Sequence, residues 1–213
     1  MDRRNPVDLR RHVERRLRGT TPGGDPLDAW VAGLTPEQTS ALRRQLPASF
    51  SRAAVMVPLV ERPEGLTVLL TQRASHLKHH PGQISFPGGR IEPTDAGPWE
   101  AAVRETREEI GLESGFASLA GYLHDHMVLT GYLITPAVAF VRPGFTLELD
   151  VTEVEDVFEI PLQFVLDPAH HVPRTRAFGG HEFLTLDIPY GDRHIWGATA
   201  GMLLSLCRLL QEG

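Results

Sequence analysis

The period of the apolar positions changes several times along the chain, and each change marks an element. Leu9, Val13 and Leu17 recur at i, i+4 and i+8, which predicts an amphipathic helix within the first 20 residues. A turn-rich linker over residues 19–26 follows, and Thr35-Pro36-Glu37-Gln38 reads as a capping box with proline at the first helical position, opening a helix to about Leu46. From Ala53 the period shortens: residues 53–60 and 66–71 read as two strands of a hairpin, with residues 61–65 as its turn. Residues 118–123, 134–141 and 154–159 read as further strands, and residues 195–207 as a closing helix whose small residues allow close packing. No internal repeat interrupts this order. Strands, a helix, more strands and a closing helix predict an α+β fold with a mixed sheet between helices.

The helix in the middle of that order is the one that matters for chemistry. Gly97 can cap it, Pro98 suits its first position, and Gly111 suits the left-handed stop. At roughly 100° per residue, Trp99, Val103, Thr106 and Ile110 gather on one side, the face expected to pack on the core. Glu105, Glu108 and Glu109 fall together on the far side. Carboxylates at i, i+3 and i+4 repel, costing about 0.2–0.5 kcal/mol per close pair. Glu108 and Glu109 also sit in the last turn, where the helix dipole disfavours anions. A divalent cation reverses the sign of both effects. The plain alternative is a solvated acidic face offset by Arg104 and Arg107. It is weakened by the Gly88-Gly89 turn just upstream, where backbone can closely approach a ligand.

Composition narrows the function classes. Apolar residues at 41% and charged residues at 23% suit a globular protein with a sizeable core. A net charge of −6 argues against general affinity for nucleic acid or an anionic membrane, so neither is expected as a partner. Residues 1–20 run against that trend, with seven arginines against Asp2, Asp8 and Glu14; such an arm more often packs one stripe on its domain with the arginines in solvent. Cys207 is the only cysteine, which excludes a disulfide framework and predicts a buried, inert thiol. No apolar run has the length of a membrane span or the form of a signal peptide, so a cytoplasmic location is expected.

The acidic helix and its approach carry a family resemblance. Gly89, Asp95 and Arg104-Glu105-Thr106-Arg107-Glu108-Glu109-Ile110-Gly111-Leu112 resemble the Nudix box: a Gly, five residues, a Glu, seven residues, then Arg-Glu, an apolar residue, any residue, Glu-Glu, any residue, Gly and an apolar residue. Asp95 stands in place of the first Glu, eight residues instead of seven separate it from Arg104, and Thr106 takes the apolar place. The coenzyme A pyrophosphatase branch of the family carries the same longer spacing and an Asp there. Upstream, Leu69-Leu70-Thr71-Gln72-Arg73, the basic segment around Lys78, Gly82-Gln83 and Phe86-Pro87-Gly88-Gly89 look like that branch's signature, with Lys78 where an Arg is expected. The two motifs together run from Leu69 to Leu112.

The resemblance implies a Nudix α-β-α sandwich over residues 51–213, preceded by a helical extension over residues 1–50. It implies a hydrolase that uses Mg²⁺ or Mn²⁺ to cleave coenzyme A or its thioesters into 3′,5′-ADP and 4′-phosphopantetheine or an acyl form. Glu105, Glu108 and Glu109 are then the metal ligands, and Arg104 braces a ligand carboxylate. Gly88 and Gly89 offer backbone to metal or phosphate, and Arg73 and Lys78 contact phosphate, with His76, His79, His80, His124 and His126 as possible helpers. The general base is open among Glu109, Glu153 and Glu155. His124 and His126 are expected on one face of a strand, without the further ligand that a zinc site needs. Competing readings are cleavage of ADP-ribose, NADH or dinucleoside polyphosphates, and a non-catalytic Nudix domain that binds a nucleotide and regulates a partner. A homodimer is left open.

Overall fold

In the computed structural model, which describes residues 6–24, 36, 37, 40, 49–128, 131–178 and 181–211, an unbroken run of buried residues from Ala53 to Val60 forms the centre of one long strand. The chain runs α1 (Pro6–Leu17), β1 (Ser51–Arg62), β2 (Gly65–Arg73), β3 (Ile84–Ser85), β4 (Gly88–Arg90), α2 (Pro98–Ile110), β5 (Ala117–Tyr122), β6 (His126–Val128) and β7 (Tyr132–Val141). It continues through β8 (Val154–Pro161), α3 (Leu162–Leu166), β9 (Val172–Phe178), β10 (His181–Tyr190), β11 (Arg193–Ile195) and α4 (Gly197–Gln211). The helix expected from Thr35 to about Leu46 falls largely outside the described residues.

β1 is buried on both faces, which is why its sequence is continuously apolar instead of alternating. Val55, Val57 and Leu59 enter a core shared with α1, α3 and α4, while Ala54, Met56 and Val60 enter a second core against α2. β1 pairs antiparallel with β2, closing at Arg62 opposite Gly65, and parallel with β7 from Ser51 opposite Tyr132 to Val60 opposite Val141. The hairpin turn is therefore only Pro63-Glu64, tighter than the sequence pattern suggested. β3 and β8 extend the sheet beside β2, β4 pairs with β1, and β5 and β6 pair with β7, so the sheet is mixed. Helices on both faces give the expected α+β sandwich. Ala54 on β1, Ala137 and Ala139 on β7, and Ala101 and Ala102 on α2 meet in the second core, and side chains this short let α2 lie close on the sheet.

The first helix belongs to the same body. Leu9, Val13 and Leu17 are buried with Leu203, Leu206 and Leu210 of α4. Arg16 Nε donates to the Leu209 carbonyl at 2.7 Å, and His12 Nε2 lies 2.8 Å from the Leu210 carbonyl. These side chains meet carbonyls in the last turn of α4, and Arg16 sets positive charge at the negative end of its dipole. Arg10 pairs with Glu61. Arginines of the arm thus bind this protein's own backbone and acids.

Two sequence expectations change. The closing helix begins at Gly197, not Ile195, because Ile195 completes β11 and Gly197 takes a left-handed φ of 63°. The β9–β10–β11 sheet drew no assignment from the pattern, since its outward positions carry Arg174, Arg176 and Thr185 and its apolar alternation is broken. Cys207 is buried as expected, and burial pushes its thiol up to about 12. No helix of the described residues is long and apolar enough to cross a membrane.

Candidate active site

α2 forms as its end signals predict: Pro98 opens it, and Gly111 closes it at φ 69°, its N–H donating to the Arg107 carbonyl at 2.9 Å. Its buried residues are Ala101, Ala102, Thr106, Glu109 and Ile110; Thr106 and Ile110 face the core as expected, while Trp99 and Val103 pack on it only partly buried. The helix is turned so that the alanines, not Trp99 and Val103, make the closest approach to the sheet. Thr106 sits at an apolar position by returning its hydroxyl to the Ala102 carbonyl at 2.6 Å. The three carboxylates consequently do not share one exposed face. Glu109 is buried, Glu105 is partly buried, and the Glu108 side chain is 60% exposed.

Glu109 is held from two sides. Its Oε2 accepts the Gly88 N–H at 3.1 Å, and Arg73 Nη1 lies 4.0 Å from Oε1. Burial nevertheless pushes its carboxyl up to about 8; the Gly88 hydrogen bond and Arg73 oppose that shift, while Glu153 and Glu105 add to it. The two glycines lie in β4, paired with β1, instead of in the expected turn, and each makes room for a different neighbour. A Cβ on Gly88, at φ 152°, would lie 2.3 Å from the Ala54 carbonyl of β1. A Cβ on Gly89 would lie 2.5 Å from the Glu105 carboxyl carbon, so the missing side chain leaves the space that carboxylate occupies.

Arg104 ties the loop before the helix to the carboxylates on it. Its Nε and Nη2 form a paired contact with Asp95 at 3.1 and 3.0 Å, and Nη2 also donates to the Arg90 carbonyl at 3.0 Å. Its Nη1 reaches Glu105 at 2.9 Å and Glu108 at 3.1 Å. Asp95 in turn accepts the Glu92 N–H at 2.8 Å, and the Arg104 guanidinium holds the Asp95 carboxyl below the usual range. For Glu105 burial dominates and moves the carboxyl upward despite Arg104.

A second loop, residues 142–153, passes the end of α2. Glu148 N–H donates to the Ile110 carbonyl at 3.0 Å and Asp150 N–H to the Glu109 carbonyl at 2.9 Å, so the loop caps the helix. Asp150 also shapes the loop itself: its carbonyl accepts from the Glu153 and Val154 N–H groups at 2.9 and 2.8 Å, and its carboxylate from the Thr152 N–H and hydroxyl at 2.9 and 2.6 Å. This arrangement brings Glu153 close enough for its charge to raise both Glu105 and Glu109. Glu155 is engaged elsewhere, accepting the Ser75 N–H at 3.1 Å.

The chain's sequence carries the same pattern as a known family. The NUDIX domain model matches residues 50–176, and the Nudix hydrolase NudL of Enterobacter sp. strain 638 is 37% identical over 155 residues, covering 73% of this chain and 80% of the relative. The chain belongs to the Nudix family.

It is therefore a Nudix hydrolase, with pyrophosphohydrolase chemistry. NudL of Escherichia coli K12 is likewise 37% identical, over 156 residues, covering 73% of this chain and 80% of that one. Among solved structures the chain is similar to the C. elegans Ap4A hydrolase binary complex, with TM-score 0.45 and 20% identity over 52% of this chain and 80% of that chain. It is also similar to DR0079 of Deinococcus radiodurans, with TM-score 0.48 and 14% identity over 74% of this chain and 85% of that chain.

Within this Nudix domain, the structure gathers Arg73, Gly88, Gly89, Arg104, Glu105, Glu108, Glu109 and Glu153 around the helix. Lys78, His76, His79 and His80 stand on the loop between β2 and β3, where no contact joins them to the carboxylates among the described residues. The histidine pair is separated, correcting the expectation of a shared strand face: His124 is exposed in the loop before β6, whereas His126 is buried against Gly201 and burial pushes it down to about 4. Asp95 and Asp150 were missed as organising residues. Asp95 was visible only as a spacing feature, and Asp150 has no motif around it. A cavity of about 700 Å³ lies away from this cluster, between residues 19–24, residues 122–125 and the end of α4.

Nudix hydrolases generally use divalent cations such as Mg²⁺ or Mn²⁺. The donor set fits a hard cation, being carboxylate oxygens alone. The buried Glu109, whose two neighbours do not offset its desolvation, fits too, because a bound cation favours its ionised form. Among the described residues, however, no three His, Cys, Asp or Glu side chains stand close enough to hold a metal ion as they are placed. Glu105 and Glu108 are drawn to Arg104, so a shared shell requires Glu108, the exposed one, to swing off that guanidinium.

Proposed function

We propose that this Nudix hydrolase is a cytoplasmic enzyme that splits coenzyme A or acyl-coenzyme A into 3′,5′-ADP and 4′-phosphopantetheine or its acyl form. One observation carries the reading. Arg73 and Gly88, at the two ends of the upstream signature, converge on the carboxylate of Glu109 in the Nudix helix. The segment that distinguishes the coenzyme A branch by resemblance and the segment that distinguishes the family therefore build one site.

In this reading Glu105, Glu108 and Glu109 hold Mg²⁺ or Mn²⁺, which when bound supplies positive charge for the phosphoryl oxygens and the attacking water. Glu153 accepts the proton of that water, from a loop that Asp150 fastens to the helix end. Its exposure and its position beside the carboxylates support it over Glu155, which is engaged at Ser75, and over Glu109, which is buried as a ligand. Arg104 braces Glu105 and Glu108. Arg73, with Lys78 from the adjoining loop, neutralises the pyrophosphate, and the Gly88-Gly89 backbone keeps the space beside Glu105 open. In this reading the catalytic domain spans residues 51–213, and α1 docks on it through the stripe of Leu9, Val13 and Leu17.

The test is product identification. Purified protein with coenzyme A and Mg²⁺ or Mn²⁺ is expected to release 3′,5′-ADP and 4′-phosphopantetheine. Release of AMP from ADP-ribose, NADH or diadenosine tetraphosphate, with coenzyme A left intact, overturns the assignment.

A further inference from the structure

The β9–β10–β11 sheet has two faces of different character. Ile188 and Ile195, paired across β10 and β11, turn into the core. Alternation along the paired strands sets Arg174, Arg176, Thr185, Asp187, His194 and Trp196 on the opposite face. There Asp187, only 1% exposed, gathers two arginines and a histidine. Arg176 Nη2 contacts its two oxygens at 2.9 and 2.8 Å, His194 Nε2 lies at 2.9 Å, and Arg174 Nε lies at 4.0 Å. The Arg176 guanidinium is also 4.7 Å from the centroid of the Trp196 ring, and that tryptophan remains 36% exposed.

Trp196 and His194 line a cleft of about 360 Å³ whose opposite wall is residues 80–84 of the upstream signature. Arg193 closes its inner end, bonded to Gln72 and to Asp156. The Gln83 carbonyl in that wall accepts the Arg73 N–H at 2.9 Å, so the cleft is joined through one hydrogen bond to the arginine that faces Glu109. An exposed indole offers stacking, glutamine amides can read the edge of a base, and guanidinium groups in excess over their single carboxylate can hold a phosphate.

We propose that this cleft, together with the arginine-bearing strand face that adjoins it at Trp196, binds the phosphorylated adenosine end of the substrate, with the base in the cleft against Trp196 and the ribose phosphate beside it at Arg174 and Arg176. The identity of the ligand rests on coenzyme A being the substrate; the site itself does not. The site would select molecules with a phosphate on the ribose apart from the pyrophosphate.

Titration of the full chain with 3′,5′-ADP and with 5′-AMP tests this directly. Trp196→Leu and Arg174→Gln are the variants to use, because both leave the contact of Asp187 with Arg176 and His194 in place. The wild type is expected to bind 3′,5′-ADP about tenfold more tightly than 5′-AMP. Trp196→Leu should weaken both ligands by about tenfold, and Arg174→Gln should remove most of the difference between them. Variants with unchanged Tm that bind both ligands like the wild type overturn the proposal. Binding of 3′,5′-ADP that responds to both variants, in a protein that does not turn over coenzyme A, supports the cleft and overturns the substrate reading instead. Turnover of coenzyme A with KM unaltered in both variants overturns the cleft alone.

Discussion

Arg73 at the end of β2 and Glu109 in the last turn of α2 face each other at 4.0 Å across the buried end of the sheet. With the Gly88 N–H on its other oxygen, Glu109 still has its carboxyl pushed up to about 8 by burial. The group therefore takes up a proton on folding that the unfolded chain, with a pKa near the ordinary 4.5, releases. Its contribution to stability is present below about 4.5 and is lost as pH rises through about 8. Metal-free protein should show a falling Tm between pH 5 and 8.5, and Glu109→Gln should flatten that slope while abolishing turnover. Thermal melts in chelator across this range check it. Added Mg²⁺ or Mn²⁺ should raise Tm more at pH 8 than at pH 6, where it must displace the proton.

Arg104→Lys keeps a charge but cannot reproduce the paired contact with Asp95 and the reach to Glu105 and Glu108 together. Loss of charge-assisted hydrogen bonds of this kind costs roughly 1.5–3 kcal/mol. Turnover should fall about 10–100-fold, as for the supporting partners of other metal ligands, with most of the loss recovered at high metal concentration. A metal titration of activity in the variant measures this.

The two glycines should fail differently. Gly88→Ala sets a Cβ 2.3 Å from the Ala54 carbonyl in a left-handed backbone and should prevent stable folding. Gly89→Ala meets a side chain, the Glu105 carboxylate at 2.5 Å, which can move. That variant should fold and bind metal more weakly, an outcome read by calorimetric titration with Mn²⁺.

Glu153→Gln should lower kcat by about 10²–10⁴, with KM little changed. Glu155→Gln should leave kcat intact. Asp150→Ala, which loosens the turn carrying Glu153, should reproduce part of the kcat loss. Asp150→Asn, still able to accept from Thr152, should restore it. Equal effects of the Glu153 and Glu155 substitutions would remove the basis for choosing between them.

Much of this was legible along the chain. The α2 boundaries followed from Gly97, Pro98 and Gly111, and the positions of β1, β2, β5, β7 and β8 from runs such as residues 53–60, because local geometry and burial leave a direct mark on residue type. The rotation of α2 was not legible, since a helical wheel weights Trp99 and Val103 above Ala101 and Ala102, whereas closeness to the sheet favours the small residues. The graded burial of Glu105, Glu108 and Glu109 follows from that rotation and was hidden with it. Asp95 and Asp150 act through partners distant in sequence or through backbone groups, and no spacing rule announces either. The β9–β10–β11 sheet escaped because its arginines face outward around one buried aspartate, a relation that only pairing reveals.

The central claim meets its most direct test in a competition assay. Equal concentrations of coenzyme A and ADP-ribose are supplied with Mg²⁺ or Mn²⁺, and both product sets are followed in time. The account predicts early 3′,5′-ADP and 4′-phosphopantetheine, with ADP-ribose consumed more slowly and both reactions lost in Glu109→Gln. Faster consumption of ADP-ribose, or release of 3′,5′-ADP that survives Glu109→Gln, would contradict it.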